Sequence, residues 1–320
     1  MGVNLGREPG YPIRPPAGAA VTDERRRVGG AASAYNDCVA DALETKQEKL
    51  LRLLGEMGDV MVAFSGGTDS AYLAWAAKEA LGPRALAVTA DSASLPTSHK
   101  REAEEFVARF GIRHQYIETH EFDNPDYVRN DANRCFHCKD ELFARLADVG
   151  REQGFANVVY GVNVDDTRDY RPGHRAATEH GVRAPLLEAE LTKTEIRELS
   201  RRAGLPTWDR PAAACLSSRI PYGTAVTRER LRVVEDGEEG LKALGFRVFR
   251  VRYHGELVRI EVGADELPLA LRPEITAEFV RLFKSLGFKY VTLDLEGYRQ
   301  GSLNEALERP ASEALLPIIS

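Results

Sequence analysis

Short apolar runs alternate along the middle of the chain with stretches whose apolar residues recur every three or four positions. The runs at 59–64, 85–89, 115–118 and 158–161 read as strands, and 71–81, 100–110 and 138–150 read as helices. Such β/α alternation predicts an α/β fold: a mostly parallel sheet with helices on both faces. Past Pro221-Tyr222-Gly223 the texture changes. Residues 229–244 are helical in pattern. Residues 247–253 and 257–262 alternate strictly and are joined by His254-Gly255-Glu256, which predicts a hairpin. A helix over 275–286 and a strand over 290–295 follow. The α-β-β-α-β order predicts a smaller α+β domain with a partly antiparallel sheet. Upstream, residues 44–57 read as an amphipathic helix carrying Leu50, Leu51, Leu53 and Leu54. Before it lies a stretch rich in Gly, Pro, Arg and Ala without apolar periodicity, expected to be a mobile tail. The expected organisation is a tail over 1–42, an α/β domain over 43–220 and an α+β domain over 221–320.

Composition narrows the class. The chain has 320 residues, 43% of them hydrophobic, enough for two cores. A net charge of −6 offers no general attraction to nucleic acid or to an anionic membrane. No apolar run is long enough for a membrane helix, and the first residues lack the apolar core of a signal peptide. A cytoplasmic protein is expected. Its four cysteines are Cys38, Cys135, Cys138 and Cys215. In a reducing compartment they suit metal binding or catalysis better than a disulfide framework. Cys38 falls in the expected tail and is read as incidental.

The most informative segment is Ser65-Gly66-Gly67-Thr68-Asp69-Ser70, between the first strand and the first helix of the alternation. Glycines let the backbone approach a ligand, and the N–H groups at a helix start attract an anion. The serines add hydroxyl donors, and Asp69 is placed to hold a metal or orient the loop. The segment lacks the lysine of the G-x-x-x-x-G-K-[ST] phosphate loop. It resembles instead the pyrophosphate-binding SGGxDS loop of the PP-loop ATP pyrophosphatases, which implies cleavage of ATP to AMP and pyrophosphate.

Cys135 and Cys138 form a C-x-x-C pair ahead of the 138–150 helix, and Cys215 lies between the two expected domains. Three thiolates can hold three irons of a [4Fe–4S] cluster and leave the fourth open. A zinc site would need a fourth ligand, for which His137 is nearest. A redox pair and inert thiols remain further readings.

Together the Ser65 loop, the segment around Cys215 and the later Asp294–Ser302 stretch resemble the LarE family of ATP-dependent sulfur transferases, over about residues 45–310. The resemblance implies thiolation of pyridinium-3,5-dicarboxylate mononucleotide on the way to a nickel-pincer cofactor. A carboxylate is adenylated, sulfur attacks and AMP leaves. Some members sacrifice one cysteine, matched by Cys215. Others add a C-x-x-C pair and use a [4Fe–4S] cluster with a labile sulfide, and Cys135 and Cys138 align this chain with those. The resemblance also implies a homo-oligomer, with no nucleic-acid or membrane partner.

On that chemistry Ser65, Gly66, Gly67, Thr68 and Ser70 hold the departing pyrophosphate and Asp69 places Mg²⁺. Asp91 lies beside the ribose or adenine. Gly161 and Asp166 end another strand, the glycine letting adenine pack on the backbone. Lys193 stands in the first turn of a helix whose N-cap, Thr192, forms a capping box with Glu195; a cation there opposes the helix dipole unless a phosphate is near. Arg219, next to Cys215, is a catalytic-site cation. Arg250 and Arg252 share a strand face and are expected to clamp the substrate phosphate. Glu261 is a candidate second magnesium ligand. Asp294 and Arg299 carry no assigned role. The rival readings are a cluster-dependent tRNA thiolase, an amidating ligase, which would not need three cysteines, and a non-catalytic nucleotide sensor.

Overall fold

The computed structural model describes residues 25–168, 172–211 and 214–299; the side chains before Asp41 and at Arg168 lie outside that description. Four parallel strands form the first sheet: β1 (Val60–Ala63), β2 (Ala85–Asp91), β3 (His114–Glu118) and β4 (Val158–Tyr160). Their spatial order is β3-β2-β1-β4. The chain builds outward from β1 on one side, then returns to add β4 on the other. In an open α/β sheet, the crevice beyond the carboxyl ends of the strands at such a reversal receives the ligand. Here that crevice lies after β1 and β4, where Ser65 and Gly161 follow.

Burial on both faces explains why these strands read as continuous apolar runs. Met61, Leu86, Val88 and Ile117 share a core with Leu142, Phe143 and Leu146 of the helix Arg134–Gln153. The alternate residues Val60, Val62, Ala85 and Ala87 are equally buried, on the side taken by the helix Thr68–Leu81.

The second sheet holds β5 (Phe249–His254), β6 (Leu257–Val262) and β7 (Tyr290–Leu293). β5 and β6 form the expected antiparallel hairpin, with Gly255 at φ +69 supplying the left-handed turn residue. β6 and β7 are parallel, the helix Pro273–Ser285 crossing between them. That helix packs closely on the helix Arg228–Ala243: a Cβ at Gly237 would stand 2.7 Å from Phe283 Cε1. The core under this sheet joins Val251, Val258, Ile260 and Phe283 to Tyr127, Leu216 and Ile220, which precede residue 221. The described residues from Thr45 onward form one compact unit, and the described residues up to Glu44 belong to another.

Two local expectations are corrected. The first helix runs Arg25–Met57, well upstream of residue 44 and into the stretch expected to be a tail; only residues 1–24 of that stretch lie outside the described residues. Its alanines favour the helix, and extending an existing helix adds one hydrogen bond per residue fixed. The C-x-x-C pair lies inside the helix Arg134–Gln153 rather than ahead of it, so Cys135 and Cys138 share one face. Among the described residues, no helix is long and apolar enough to cross a membrane.

Candidate active site

β1 delivers the chain into the Ser65–Ser70 loop, and the loop folds on itself. The Ser65 N–H donates to Ser70 Oγ at 3.2 Å, the two serine hydroxyls are 3.1 Å apart, and Ser70 Oγ donates to the Gly67 carbonyl at 3.1 Å. Gly66 sits at φ +72, a conformation that favours glycine. Gly67 caps the helix Thr68–Leu81 with no side-chain hydrogen bond, so no side chain competes for its first N–H groups. Arg210 holds the loop from outside, donating to the Gly66 carbonyl at 2.7 Å and pairing with Glu102. Thr68 Oγ1 donates to the Thr207 carbonyl at 2.8 Å.

Asp69 has two different oxygens. Oδ2 takes Lys193 Nζ at 2.5 Å, while Oδ1 is buried with no hydrogen-bond partner among the described residues. A buried orphan carboxylate oxygen costs free energy unless a cation or donor meets it, so the residue suits a magnesium ligand. Lys193 opens the helix Lys193–Arg202 behind the expected capping box of Thr192 and Glu195, and its own N–H donates to Asp165 Oδ2 at 2.8 Å. The neighbouring Asp166 accepts from the Asn163 N–H at 3.2 Å. Asp91, at the exposed end of β2, pairs with Lys100.

Gly161 is packed against the loop itself. A Cβ there would stand 2.8 Å from Ser70 N and 3.0 Å from the Asp69 carbonyl carbon, both backbone atoms. The missing side chain thus serves the fit of β4 to the helix start. Gly161→Ala is expected to displace that start and weaken ATP binding by about 10-fold or more. Calorimetric titration with a non-hydrolysable ATP analogue measures this; an unchanged affinity would mean the loop yields without loss.

A cavity of about 820 Å³ opens beside the loop. Arg210 and Glu102 line it on the loop side, Leu216 and Arg219 beside Cys215, and Phe249 and Arg250 from the second sheet. Arg219 is only 2% exposed. Its guanidinium grips Glu238 at 2.7 and 2.9 Å and donates to the carbonyls of Ala214 and Cys215 at 2.7 and 3.0 Å. Its donors therefore build the Cys215 turn. The expected phosphate clamp of Arg250 and Arg252 is divided by the fold. Arg250 lines the cavity and lies over the Tyr298 ring at 4.6 Å, whereas buried Arg252 donates to the Ser218 carbonyl at 2.9 Å and to Glu261 at 2.8 Å. Glu261 is fully buried and accepts from both Arg252 and Arg259. The magnesium role expected of Glu261 finds no open carboxylate edge there. Asp294 pairs with Arg259 at 3.7 Å and Arg299 with Glu296 at 2.9 Å. Residues 300–302 of that C-terminal stretch, like Ala212 and Ala213 before Cys215, lie outside the described residues.

The three thiols gather where the helix Arg134–Gln153 begins. Cys135 and Cys215 are exposed, and Cys138 is half-buried against the second core. Burial pushes the Cys138 thiol up to about 12 against the opposing pull of Lys139, and nearby Cys215, Glu121 and Cys135 push it further up. Buried Arg134 ties the two segments together. It donates to Asn130 Oδ1 at 2.6 Å and to the Ser217 carbonyl at 2.8 Å, with Cys135 Sγ at 3.9 Å. Among the described residues, no group of three or more His, Cys, Asp or Glu side chains is arranged to hold a metal ion, with or without His137. Three thiols near the start of one helix are the donor set an iron–sulfur cluster takes, and in donor chemistry the residues fit one.

Beyond one adjacency, nothing local in the chain singles out Arg134, Arg210, Glu102 and Asp165. Each acts through a partner far away in the chain, and a buried arginine looks like a surface one in a linear pattern. The adjacency of Arg134 to Cys135 was the one available signal.

No protein-family model matches the chain. It is 43% identical over 267 residues to an uncharacterized protein of Synechocystis sp., covering 83% of this chain and 100% of that one. It is 35% identical over 271 residues to the pyridinium-3,5-bisthiocarboxylic acid mononucleotide synthase of Lactiplantibacillus plantarum, covering 83% of this chain and 96% of the synthase. It is also 28% identical over 233 residues to a glutamine-hydrolysing GMP synthase of Phaeosphaeria nodorum, covering 62% of this chain and 43% of that one.

Proposed function

The chain belongs to the LarE family of the PP-loop ATP pyrophosphatase superfamily, and from that premise we propose that it is an ATP-dependent sulfurtransferase acting on pyridinium-3,5-dicarboxylate mononucleotide in nickel-pincer cofactor biosynthesis. The observation that carries the reading is one cavity lined both by Arg210, which holds the Gly66 carbonyl, and by Leu216 and Arg219, which flank and clamp Cys215. ATP and sulfur chemistry can therefore meet on one substrate.

The residues divide the work. The Ser65–Ser70 loop and the start of the helix Thr68–Leu81 receive the β- and γ-phosphates, and Asp69 Oδ1 takes Mg²⁺. A substrate carboxylate oxygen attacks the α-phosphorus, and pyrophosphate leaves with the electrons of the broken P–O bond. Lys193, held by Asp69, offsets the charge developing on the leaving pyrophosphate. The acyl carbon of the adenylate then accepts a sulfur nucleophile, and AMP departs as the leaving group. Cys135, Cys138 and Cys215 would hold a [4Fe–4S] cluster, which when bound supplies an open iron for an exogenous sulfide. Arg250 meets the anionic end of the mononucleotide in the cavity.

The deciding experiment is an anaerobic turnover assay with ATP, Mg²⁺, sulfide and the mononucleotide, followed by mass. More than one sulfur per chain, with Cys215 intact, supports the cluster enzyme. One sulfur at most, with Cys215 stripped to dehydroalanine, means the sacrificial route. Pyrophosphate release without any thiolated mononucleotide would overturn the substrate and favour tRNA.

A further inference from the structure

His99 is a cavity side chain without a hydrogen-bond partner among the described residues. His99, in the first turn of the helix Thr97–Phe110, lines the cavity beside Arg210, Arg219, Lys242 and Arg250. Neither ring nitrogen makes a hydrogen bond or ion pair to any described residue. Three of those four cations are held by the cavity's own acids. Glu102 pairs with Arg210 and with Lys242 at 3.4 Å, and Glu238 holds Arg219. Burial, reinforced by those four cations, pushes the imidazole down to about 4, so it is neutral at physiological pH.

A neutral imidazole carries one N–H donor and one acceptor nitrogen. Among guanidinium and ammonium groups its lone pair has nearby donors, but those donors are turned to carboxylates and carbonyls. Its N–H bonds to none of the described wall residues, whose acids Glu102 and Glu238 are turned to Arg210, Lys242 and Arg219. An anionic oxygen at the centre of this ring would supply that acceptor and offset the crowded positive charge in one step. The cavity's other uncharged donors, the hydroxyls of Ser98 and Thr207, are not among the four cations that surround the imidazole.

We propose that His99 is a substrate-binding residue, donating its N–H to an anionic oxygen, phosphate or carboxylate, of the ligand in this cavity. The inference rests on the mononucleotide reading above only for the identity of that ligand. Its imidazole selects an anion whose oxygen reaches between Arg210 and Arg250, while the arginines supply charge without that discrimination.

The test is calorimetric titration of the full chain, without ATP, with three probes: the pyridinium dicarboxylate mononucleotide, its dephosphorylated nucleoside, and inorganic phosphate. His99→Phe removes the donor and keeps the bulk; His99→Gln keeps a neutral donor. The expected result is a loss of about 10- to 100-fold in mononucleotide affinity for His99→Phe, with His99→Gln retaining most of it. If the bonded oxygen belongs to the phosphate, the nucleoside binds wild type and His99→Phe alike; if it belongs to a carboxylate, both probes lose. Inorganic phosphate separates the two readings: phosphate binding that depends on His99, with no binding of the mononucleotide, upholds the anion site and overturns the assigned substrate. Mononucleotide affinity in His99→Phe within about twofold of wild type, while Arg250→Gln weakens it in the same assay, overturns the proposal. So does binding of none of the three probes to the wild-type chain.

Discussion

Cys215→Ala is expected to abolish thiolation of the mononucleotide, by at least about 10³-fold, while ATP–pyrophosphate exchange driven by the same substrate persists. The two half-reactions separate because the thiol does not hold its own segment in place. The backbone at Cys215 is fixed by Arg219, which donates to its carbonyl at 3.0 Å, and by the Leu216 N–H, which donates to the Ser94 carbonyl at 2.9 Å. The Ser65–Ser70 loop bonds to itself, accepts from Arg210 and Lys193 and donates to the Thr207 carbonyl, with no bond to Cys215. Removing one sulfur atom therefore removes the sulfur chemistry and spares adenylation. The exchange of labelled pyrophosphate and the mass of the mononucleotide, measured on one preparation, report the two steps independently. Thiolation near the wild-type rate would remove Cys215 from the mechanism altogether. Cys135→Ala and Cys138→Ala sharpen the result. Under the cluster reading each loses iron and thiolation together; under the sacrificial reading both variants still transfer one sulfur per chain.

Arg219→Ala is expected to lower the unfolding free energy by about 3–5 kcal/mol, because it leaves a carboxylate buried beside an empty guanidinium site. The side chains of Arg219 and Glu238 are 3% and 12% exposed. Glu238 Oε1 also accepts from the Val251 N–H at 3.2 Å, so the pair joins the Cys215 turn, the helix Arg228–Ala243 and β5. Removing both charges together, as Arg219→Met with Glu238→Leu, is expected to recover most of the lost stability. It does not restore the donors to the carbonyls of Ala214 and Cys215, so thiolation stays impaired in the stabilised double variant. Urea unfolding of the three proteins measures the first part and turnover the second. A single Arg219→Ala variant within about 1 kcal/mol of wild type would show that the turn is held elsewhere.

Some of the site was legible in the chain because its signals are local. The Ser65–Ser70 loop, the Thr192–Glu195 capping box and the His254–Glu256 turn each depend on residues within a few positions, and backbone geometry at that range follows directly from residue type. The β/α alternation was equally plain, since strands buried on both faces must be apolar throughout. Residues whose meaning depends on a distant partner were read less well. Arg252 and Glu261 look like a phosphate ligand and a metal ligand in a linear pattern, yet antiparallel pairing of β5 with β6 brings them together as an ion pair. Arg219 looked like a substrate cation and is spent on the Cys215 turn.

The sequence by itself determined the strand–loop–helix unit at Ser65, the two kinds of sheet and the set of three cysteines, because periodicity and glycine placement are properties of neighbouring residues. The tertiary structure alone decided the strand order β3-β2-β1-β4 that opens a crevice between β1 and β4, the fit of Gly161 against the backbone of Asp69 and Ser70, and the ring of cations around His99. Those features join residues tens to more than a hundred positions apart. Which of many charged side chains become buried partners, and which are left facing a cavity, is settled only when the two cores pack.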